Sequence, residues 1–161
     1  MKYLMVDYDE CRGCHSCALA CSFGKTREFN INRSSISIVS FPKKGFFIPV
    51  ICTQCLKPVC EDVCPVEPEK AIYRDKDTGA MIIDEDLCIG CKLCISACPI
   101  GAPWLDEENS KIMKCDLCDG DPRCVKHCNY GALHYVKADE ETMKKRREGA
   151  HKISLVLDKL N

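Results

Sequence analysis

Sixteen cysteines carry nearly all the chemistry that this 161-residue chain can offer, and they fall into four groups of four. The first (Cys11, Cys14, Cys17, Cys21) and the third (Cys88, Cys91, Cys94, Cys98) both read C-x2-C-x2-C-x3-C. The second (Cys52, Cys55, Cys60, Cys64) is spaced x2, x4, x3, and the fourth (Cys115, Cys118, Cys124, Cys128) x2, x5, x3. The two motif types alternate as an internal repeat. Gly13 and Gly90 stand at equivalent places, each just before a second cysteine.

C-x2-C-x2-C places three thiolates around one centre on a tight loop. The fourth cysteine, three residues on, is expected to start a helix pointing elsewhere and to ligate a neighbouring cluster, as in bacterial ferredoxins. Pro65 and Pro99 complete the Cys-Pro signature in two groups; Ser22 and Asn129 hold the equivalent places in the others. Structural zinc prefers C-x2-C pairs brought together from separate loops, which three cysteines at i, i+3 and i+6 fit poorly. Disulfides need an oxidising compartment. With all four sets complete, four [4Fe–4S] clusters are expected.

No catalytic constellation competes with the thiols. The chain has no nucleophile motif, phosphate loop or dinucleotide fingerprint, and roughly forty residues per cluster leave little room for a substrate pocket. The chain therefore reads as a wire rather than a catalyst. His15 and His127 adjoin cluster cysteines and read as polar surface groups; Trp104 reads as a packing shield. Arg12, Lys92, Lys114 and Arg123 lie beside ligands, where cations offset cluster charge. Four oxidised clusters would add roughly −8 to the formal charge.

Without clusters the balance is near zero, 23 basic against 24 acidic residues, so no basic field attracts nucleic acid. Only 7% of residues are aromatic and the cysteines inflate the 46% hydrophobic fraction, so a conventional core is thin and bound metal must supplement it. The opening residues form no signal-peptide pattern. No stretch approaches the roughly 18 apolar residues of a membrane span.

The elements that must position the thiols are short. Tyr3–Val6 reads as a strand entering the first cluster loop. Ser35–Phe41 alternates as a half-buried strand and pairs with Phe46–Ile51 across Pro42–Gly45. Ala71–Arg74 and Ala80–Ile83 flank the turn residues Asp75–Gly79, and Trp104–Leu105 with Ile112–Met113 form a shorter hairpin. Ala132–Val136 is the last strand. A helix follows from Asp139 as N-cap to about Leu160, with Glu140 and Glu141 in its first turn. Met143, Ala150 and Leu157, with Ile153 and Leu160, form a narrow apolar seam, beside which Gly149 is a weak point and Lys144–Arg147 a cationic run. That seam suits either packing on its own domain or docking on a partner, including a second copy of this chain.

At its four cysteine groups, over roughly residues 1–137, the chain resembles the four-cluster electron-transfer subunits of the dimethyl sulfoxide reductase type. The resemblance implies an α+β fold of two ferredoxin-like dicluster units, one inserted in the other. The first unit is 1–45 with 100–137, the second 46–99, and 138–161 is a C-terminal helical extension. It implies four ligand sets: Cys11, Cys14, Cys17 and Cys128; Cys21, Cys115, Cys118 and Cys124; Cys52, Cys55, Cys60 and Cys98; Cys64, Cys88, Cys91 and Cys94. Spacing alone equally permits pairing the first group with the second and the third with the fourth.

Met1–Asp7, the run Lys114–Cys118 and the charged terminal helix look like the small iron–sulfur subunits accompanying tungsten aldehyde oxidoreductases. The implied partner is a tungsten or molybdenum pterin enzyme, with formate dehydrogenase or hydrogenase as alternatives. A flavin/NAD or ferredoxin subunit would be the acceptor, in a reducing, anaerobic cytoplasm. A free polyferredoxin and a zinc-stabilised binding module are the other classes.

Overall fold

The computed structural model describes residues 2–158, excluding the side chains of Lys152, Val156 and Leu157. Among the described residues the regular structure is built from four antiparallel two-stranded ribbons, short helices and one long C-terminal helix; three ribbons are the expected hairpins, and the fourth joins the first and last strands. β1 (Lys2–Val6) pairs with β8 (Leu133–Lys137), Lys2 opposite Lys137 and Val6 opposite Leu133. β2 (Ile36–Phe41) pairs with β3 (Phe46–Ile51) through a turn that Gly45 closes at φ +60°. β4 (Ile72–Arg74) pairs with β5 (Met81–Ile83), and β6 (Trp104–Asp106) with β7 (Lys111–Met113). The β4–β5 turn is tied by Asp75, whose carboxylate accepts the Thr78 N–H at 2.8 Å.

Four helices carry cysteines: α1 (Ser16–Thr26), α2 (Val59–Asp62), α3 (Leu93–Ala97) and α4 (Arg123–Lys126). Here the expected geometry is corrected. The fourth cysteine of a motif starts no helix. Cys21 lies mid-way along α1, four residues after Cys17 and on the same face. Cys98 caps the end of α3, and Cys64 and Cys128 fall just beyond α2 and α4. In the first and third groups the left-handed residues His15 (φ +60°) and Lys92 (φ +66°) turn the chain into a helix straight after the second cysteine. The third cysteine is helical in every group, joined in the first by Cys21.

The core is as thin as the composition implies, and thiols are part of it. One buried cluster joins Leu4, Ile36, Ile51, Leu117 and Leu133 to Cys17, Cys21, Cys52, Cys115 and Cys124. A smaller one holds Ile72, Met81, Ile112 and Cys94. Away from these, Arg33 is buried in a bidentate pair with Asp106, 2.7 and 3.0 Å, joining residues 73 apart in sequence.

α5 (Glu140–Asp158) starts as expected: Asp139 accepts the Thr142 N–H at 2.9 Å, a side-chain N-cap. Its inward face shares Ile153 with the anticipated seam but otherwise differs from it. Arg146 lies 5.5 Å above the Tyr3 ring, and Gly149 faces Tyr8 so closely that a Cβ there would stand 3.0 Å from the ring. Ile153 joins Leu4, Val6, Tyr8 and Ile48 around a shallow cavity, whereas Ala150 is exposed. The described part of the helix therefore packs on β1 and Tyr8 of its own domain. Gly149 is a contact point rather than a weak one. Leu160 and the Leu157 side chain, the far end of the anticipated seam, lie outside the described residues.

Candidate iron–sulfur centres

Each cysteine group turns on a left-handed residue placed directly before its second cysteine: Gly13 (φ +66°), Gln54 (+53°), Gly90 (+68°) and Leu117 (+60°). The glycines flagged two of these positions in the sequence. Gln54 and Leu117 were not foreseen, because the left-handed region usually costs energy for any residue other than glycine. Both are held by their surroundings. Leu117 is fully buried, and Gln54 donates to the Cys115 carbonyl at 3.1 Å and accepts the Met81 N–H at 2.8 Å. A second repeat follows the last cysteines of the third and fourth groups. Gly101 and Gly131 are left-handed, and the next residues, Ala102 and Ala132, donate their N–H to the Cys98 and Cys128 sulfurs at 3.3 and 3.2 Å.

The thiols gather across the chain. Cys11, Cys14, Cys17 and Cys128 line one narrow cavity walled by Ile38, Pro49 and Leu133. Cys124 lies within electrostatic reach of Cys115, Cys21 and Cys118. Cys60 lies within the same reach of Cys52 and Cys98, and Cys94 of Cys88 and Cys91. The groupings also follow one another in series at that range, Cys17 with Cys124, Cys115 with Cys52, and Cys60 with Cys94. Cys17, Cys21, Cys52, Cys115 and Cys124 share one buried cluster, and Cys60 and Cys88 pack against the one that holds Cys94. Cys55 is exposed beside the Thr53 hydroxyl, and the Cys64 carbonyl accepts from Lys70 at 2.6 Å. For these two, membership rests on motif position. Among the described residues, no three His, Cys, Asp or Glu side chains converge on a single-ion site.

Burial is the main influence on the thiols, and neighbouring thiols add to it. Cys17 is pushed up to about 11 by burial first and then by Cys128, Cys11 and Cys14, against the opposing Ala18 N–H. Cys94 reaches about 11 through burial and then Cys88, Cys91 and Cys60. Cys115 rises to about 12, chiefly by burial, and Cys124 is raised further for the same reason. Iron ligation needs thiolates, so loading must release these protons.

The donor set fits [4Fe–4S] clusters. It is all soft thiolate, set in an apolar core, with backbone N–H groups aimed at sulfur. Two lysines penetrate this region. Lys25 reaches Asp116 at 2.9 Å beside Cys21 and Cys115. Burial would raise the Asp116 carboxyl, but Lys25 pulls it below the usual carboxylate range. Lys114 is only 4% exposed. Of the other flagged residues, His15 lines the cavity of Cys11 and Cys128. His127 is exposed, with Nδ1 2.9 Å from the Arg123 carbonyl. Arg12 pairs at the surface with Glu10. Trp104 donates to the Ser35 hydroxyl at 3.2 Å.

Residues 43–138 match the family model described as a 4Fe-4S dicluster domain, and residues 8–24 match a 4Fe-4S binding domain. The protein belongs to the 4Fe–4S dicluster family. Its clusters are [4Fe–4S], and its sixteen thiols are the number that four of them require. A tetrathionate reductase subunit of Archaeoglobus fulgidus is 34% identical over 111 residues, 69% of this chain and 52% of that protein. A polypeptide of the anaerobic dimethyl sulfoxide reductase of Escherichia coli is 33% identical over 122 residues, 68% of this chain and 58% of that one. The chain thus spans about half the length of these curated relatives. A chain of the benzoyl-coenzyme A reductase active-site complex BamBC, with benzoyl-CoA, superposes with a TM-score of 0.51 over 99% of this chain and 96% of its own. At 23% identity, that likeness concerns the fold. Among the described residues, no helix is long and apolar enough to cross a membrane.

Proposed function

We propose that this chain is a non-catalytic electron-transfer subunit that passes single electrons along four [4Fe–4S] clusters between a catalytic subunit and an acceptor. The observation that carries the reading is the serial proximity of the thiol groupings, Cys17 to Cys124, Cys115 to Cys52, and Cys60 to Cys94, within two buried clusters. Cluster one takes Cys11, Cys14, Cys17 and Cys128, and cluster two Cys21, Cys115, Cys118 and Cys124. Cluster three takes Cys52, Cys55, Cys60 and Cys98, and cluster four Cys64, Cys88, Cys91 and Cys94. The presence of Cys128 beside Cys11 and Cys17, and of Cys98 beside Cys60, favours this nested pairing over the sequential one. On this reading residues 1–45 and 100–137 form one dicluster unit and 46–99 the inserted one, with the β2–β3 hairpin bridging them.

When bound, each cluster supplies a one-electron centre. The chain holds it by four thiolates, excludes water with Ile38, Ile36, Leu117 and Leu133, and directs the Ala102 and Ala132 N–H groups at two ligand sulfurs. Cys14 of cluster one and Cys91 of cluster four are exposed, so both ends of the series can meet a partner. Cys55 opens a third approach at cluster three.

The partner we favour is a tungsten or molybdenum aldehyde oxidoreductase in a reducing cytoplasm, supported by the resemblance at Met1–Asp7, Lys114–Cys118 and the terminal helix. The oxidoreductase subunits among the relatives equally suit another catalytic partner of that broad type. Anaerobic analysis should find about sixteen iron and sixteen sulfide per chain. A colourless zinc protein would end the reading. Gentle purification should yield a complex containing tungsten or molybdenum; a chain eluting alone with its clusters intact would make it a free polyferredoxin.

A further inference from the structure

Lys114 precedes Cys115 on a strand-to-loop junction and points inward. It is 4% exposed. Its ammonium donates to the carbonyl of Cys115 at 2.8 Å and to that of Met81. Among the described residues it forms no ion pair with a carboxylate, unlike Lys25 with Asp116 or Arg33 with Asp106. Carbonyl dipoles solvate an ammonium but do not neutralise it, and burying such a charge without a counter-charge is costly. Its ammonium lies against the Cys115 backbone, and Gln54, next to Cys55 in the chain, donates to the same Cys115 carbonyl. Cys52 and Cys115 also share one buried cluster. Lys114 therefore sits where the Cys115 loop meets the Cys52–Cys55 loop, and those cysteines belong to different tetrads, Cys115 to cluster two and Cys52 and Cys55 to cluster three. The site is also braced: Gln54 is 1% exposed, and it links the same Cys115 carbonyl to the Met81 backbone.

We infer that Lys114 is the shared counter-cation of the two inner clusters, a positioning residue that raises both reduction potentials and eases the electron's crossing between the two dicluster units. The inference rests on the cluster assignment above. Each tetra-thiolate cluster carries about −2 when oxidised and gains another negative charge on reduction. A buried cation between two such centres stabilises the reduced form of each. It also offsets the repulsion that an electron arriving on one would feel from its neighbour. Lys25 cannot serve in the same way, because Asp116 cancels its charge at 2.9 Å. Clusters one and four lie beyond the junction of the Cys115 and Cys52–Cys55 loops where Lys114 sits, so its effect should concentrate on the middle of the series.

The test is anaerobic potentiometric titration of the full chain followed by electron paramagnetic resonance. Signals are assigned with Cys124→Ser for cluster two and Cys60→Ser for cluster three. Lys114→Met should lower both inner potentials by at least a tenfold change in the reduction equilibrium, 59 mV for a one-electron couple. The outer two should stay put, and Lys114→Arg should remain near wild type. Lys114→Gln, neutral but still an N–H donor, separates charge from hydrogen bonding and should behave like Lys114→Met. If both neutral variants fail to retain the inner clusters while Lys114→Arg keeps them, the charge is again required. Potentials unmoved in a four-cluster Lys114→Met protein, an equal shift of all four clusters, or loss in the Arg variant too would overturn the inference. Fewer than four clusters in the wild-type protein would instead overturn the reading beneath it.

Discussion

Replacing Arg33 by Met should be the most damaging single change outside the cluster ligands. The guanidinium makes two charge-assisted hydrogen bonds to Asp106, at 2.7 and 3.0 Å. The two side chains are 8% and 3% exposed. Its other partners, Glu28 and Glu108, are 55% and 61% exposed and contribute little. Without Arg33, Asp106 keeps the Asn109 amide at 2.8 Å and the Glu108 backbone N–H, but the buried carboxylate loses its counter-charge. Breaking a buried pair this way costs about 3–5 kcal/mol, a large part of the roughly 5–15 kcal/mol that holds a domain together. Cluster loss makes equilibrium unfolding ill-defined, so the assay is anaerobic bleaching of the visible cluster absorbance at fixed denaturant with an iron chelator. If loss follows opening of the fold, Arg33→Met should bleach on the order of a hundredfold faster or more. Arg33→Met with Asp106→Leu should recover much of that, because no charge is left stranded. Asp106 is held below its ordinary value chiefly by the Arg33 hydrogen bonds, against burial. The wild-type advantage should therefore be complete above about pH 4 and decline as pH falls through the lowered value. Equal bleaching of the single and double variants would show that the stranded carboxylate is not the cause, and the reasoning would fail.

Three further outcomes follow from the geometry. Cys128→Ser should disturb the cluster shared with Cys11, Cys14 and Cys17 and spare the one containing Cys64, read as about one quarter of the electron paramagnetic resonance intensity altered; under sequential pairing the affected cluster would include Cys88, Cys91 and Cys94 instead. Gly149→Ala should fail to give the gain of about 0.8–1.0 kcal/mol expected in an open helix, because the new methyl crowds the Tyr8 ring at 3.0 Å; hydrogen exchange across β1 and α5 would become faster, not slower. Gly13→Ala should lower iron content at the first group, since its φ of +66° and the overlap with the Phe47 ring both oppose a side chain; retention of full iron would refute this.

The hairpins were legible because alternation and turn residues act locally. Ile36–Phe41 with Phe46–Ile51, and the Asp75–Gly79 turn, need no distant information. The cysteine groups were legible because ligand spacing is itself the chemistry. The geometry within each motif was less so. The left-handed residues before Cys55 and Cys118 are a glutamine and a leucine, stabilised by partners far along the chain. The inward face of α5 is legible only in part for a similar reason. Apolar periodicity picks out Met143, Ala150 and Leu157 with Ile153 and Leu160; Ile153 does face β1, but Arg146 on Tyr3 and Gly149 on Tyr8 complete the contact. A stacked guanidinium and a missing side chain leave no hydrophobic trace. The Arg33–Asp106 pair spans 73 residues, and nothing local to either announces it.

The β1–β8 ribbon has a consequence for biosynthesis. Val6 pairs with Leu133, so the first strand leaves the ribosome long before its mate exists. At about 5–20 residues per second, the intervening chain takes roughly 6–25 s to make. Through that interval β1 is an unpaired edge, and Cys11, Cys14 and Cys17 lack the cavity wall that Leu133 completes. Iron delivery to the first motif during translation would meet an unfinished pocket. The fold thus defers its earliest-made thiols to its latest-made strand, and a chain cut short before residue 133 would lose the pocket made by its own beginning.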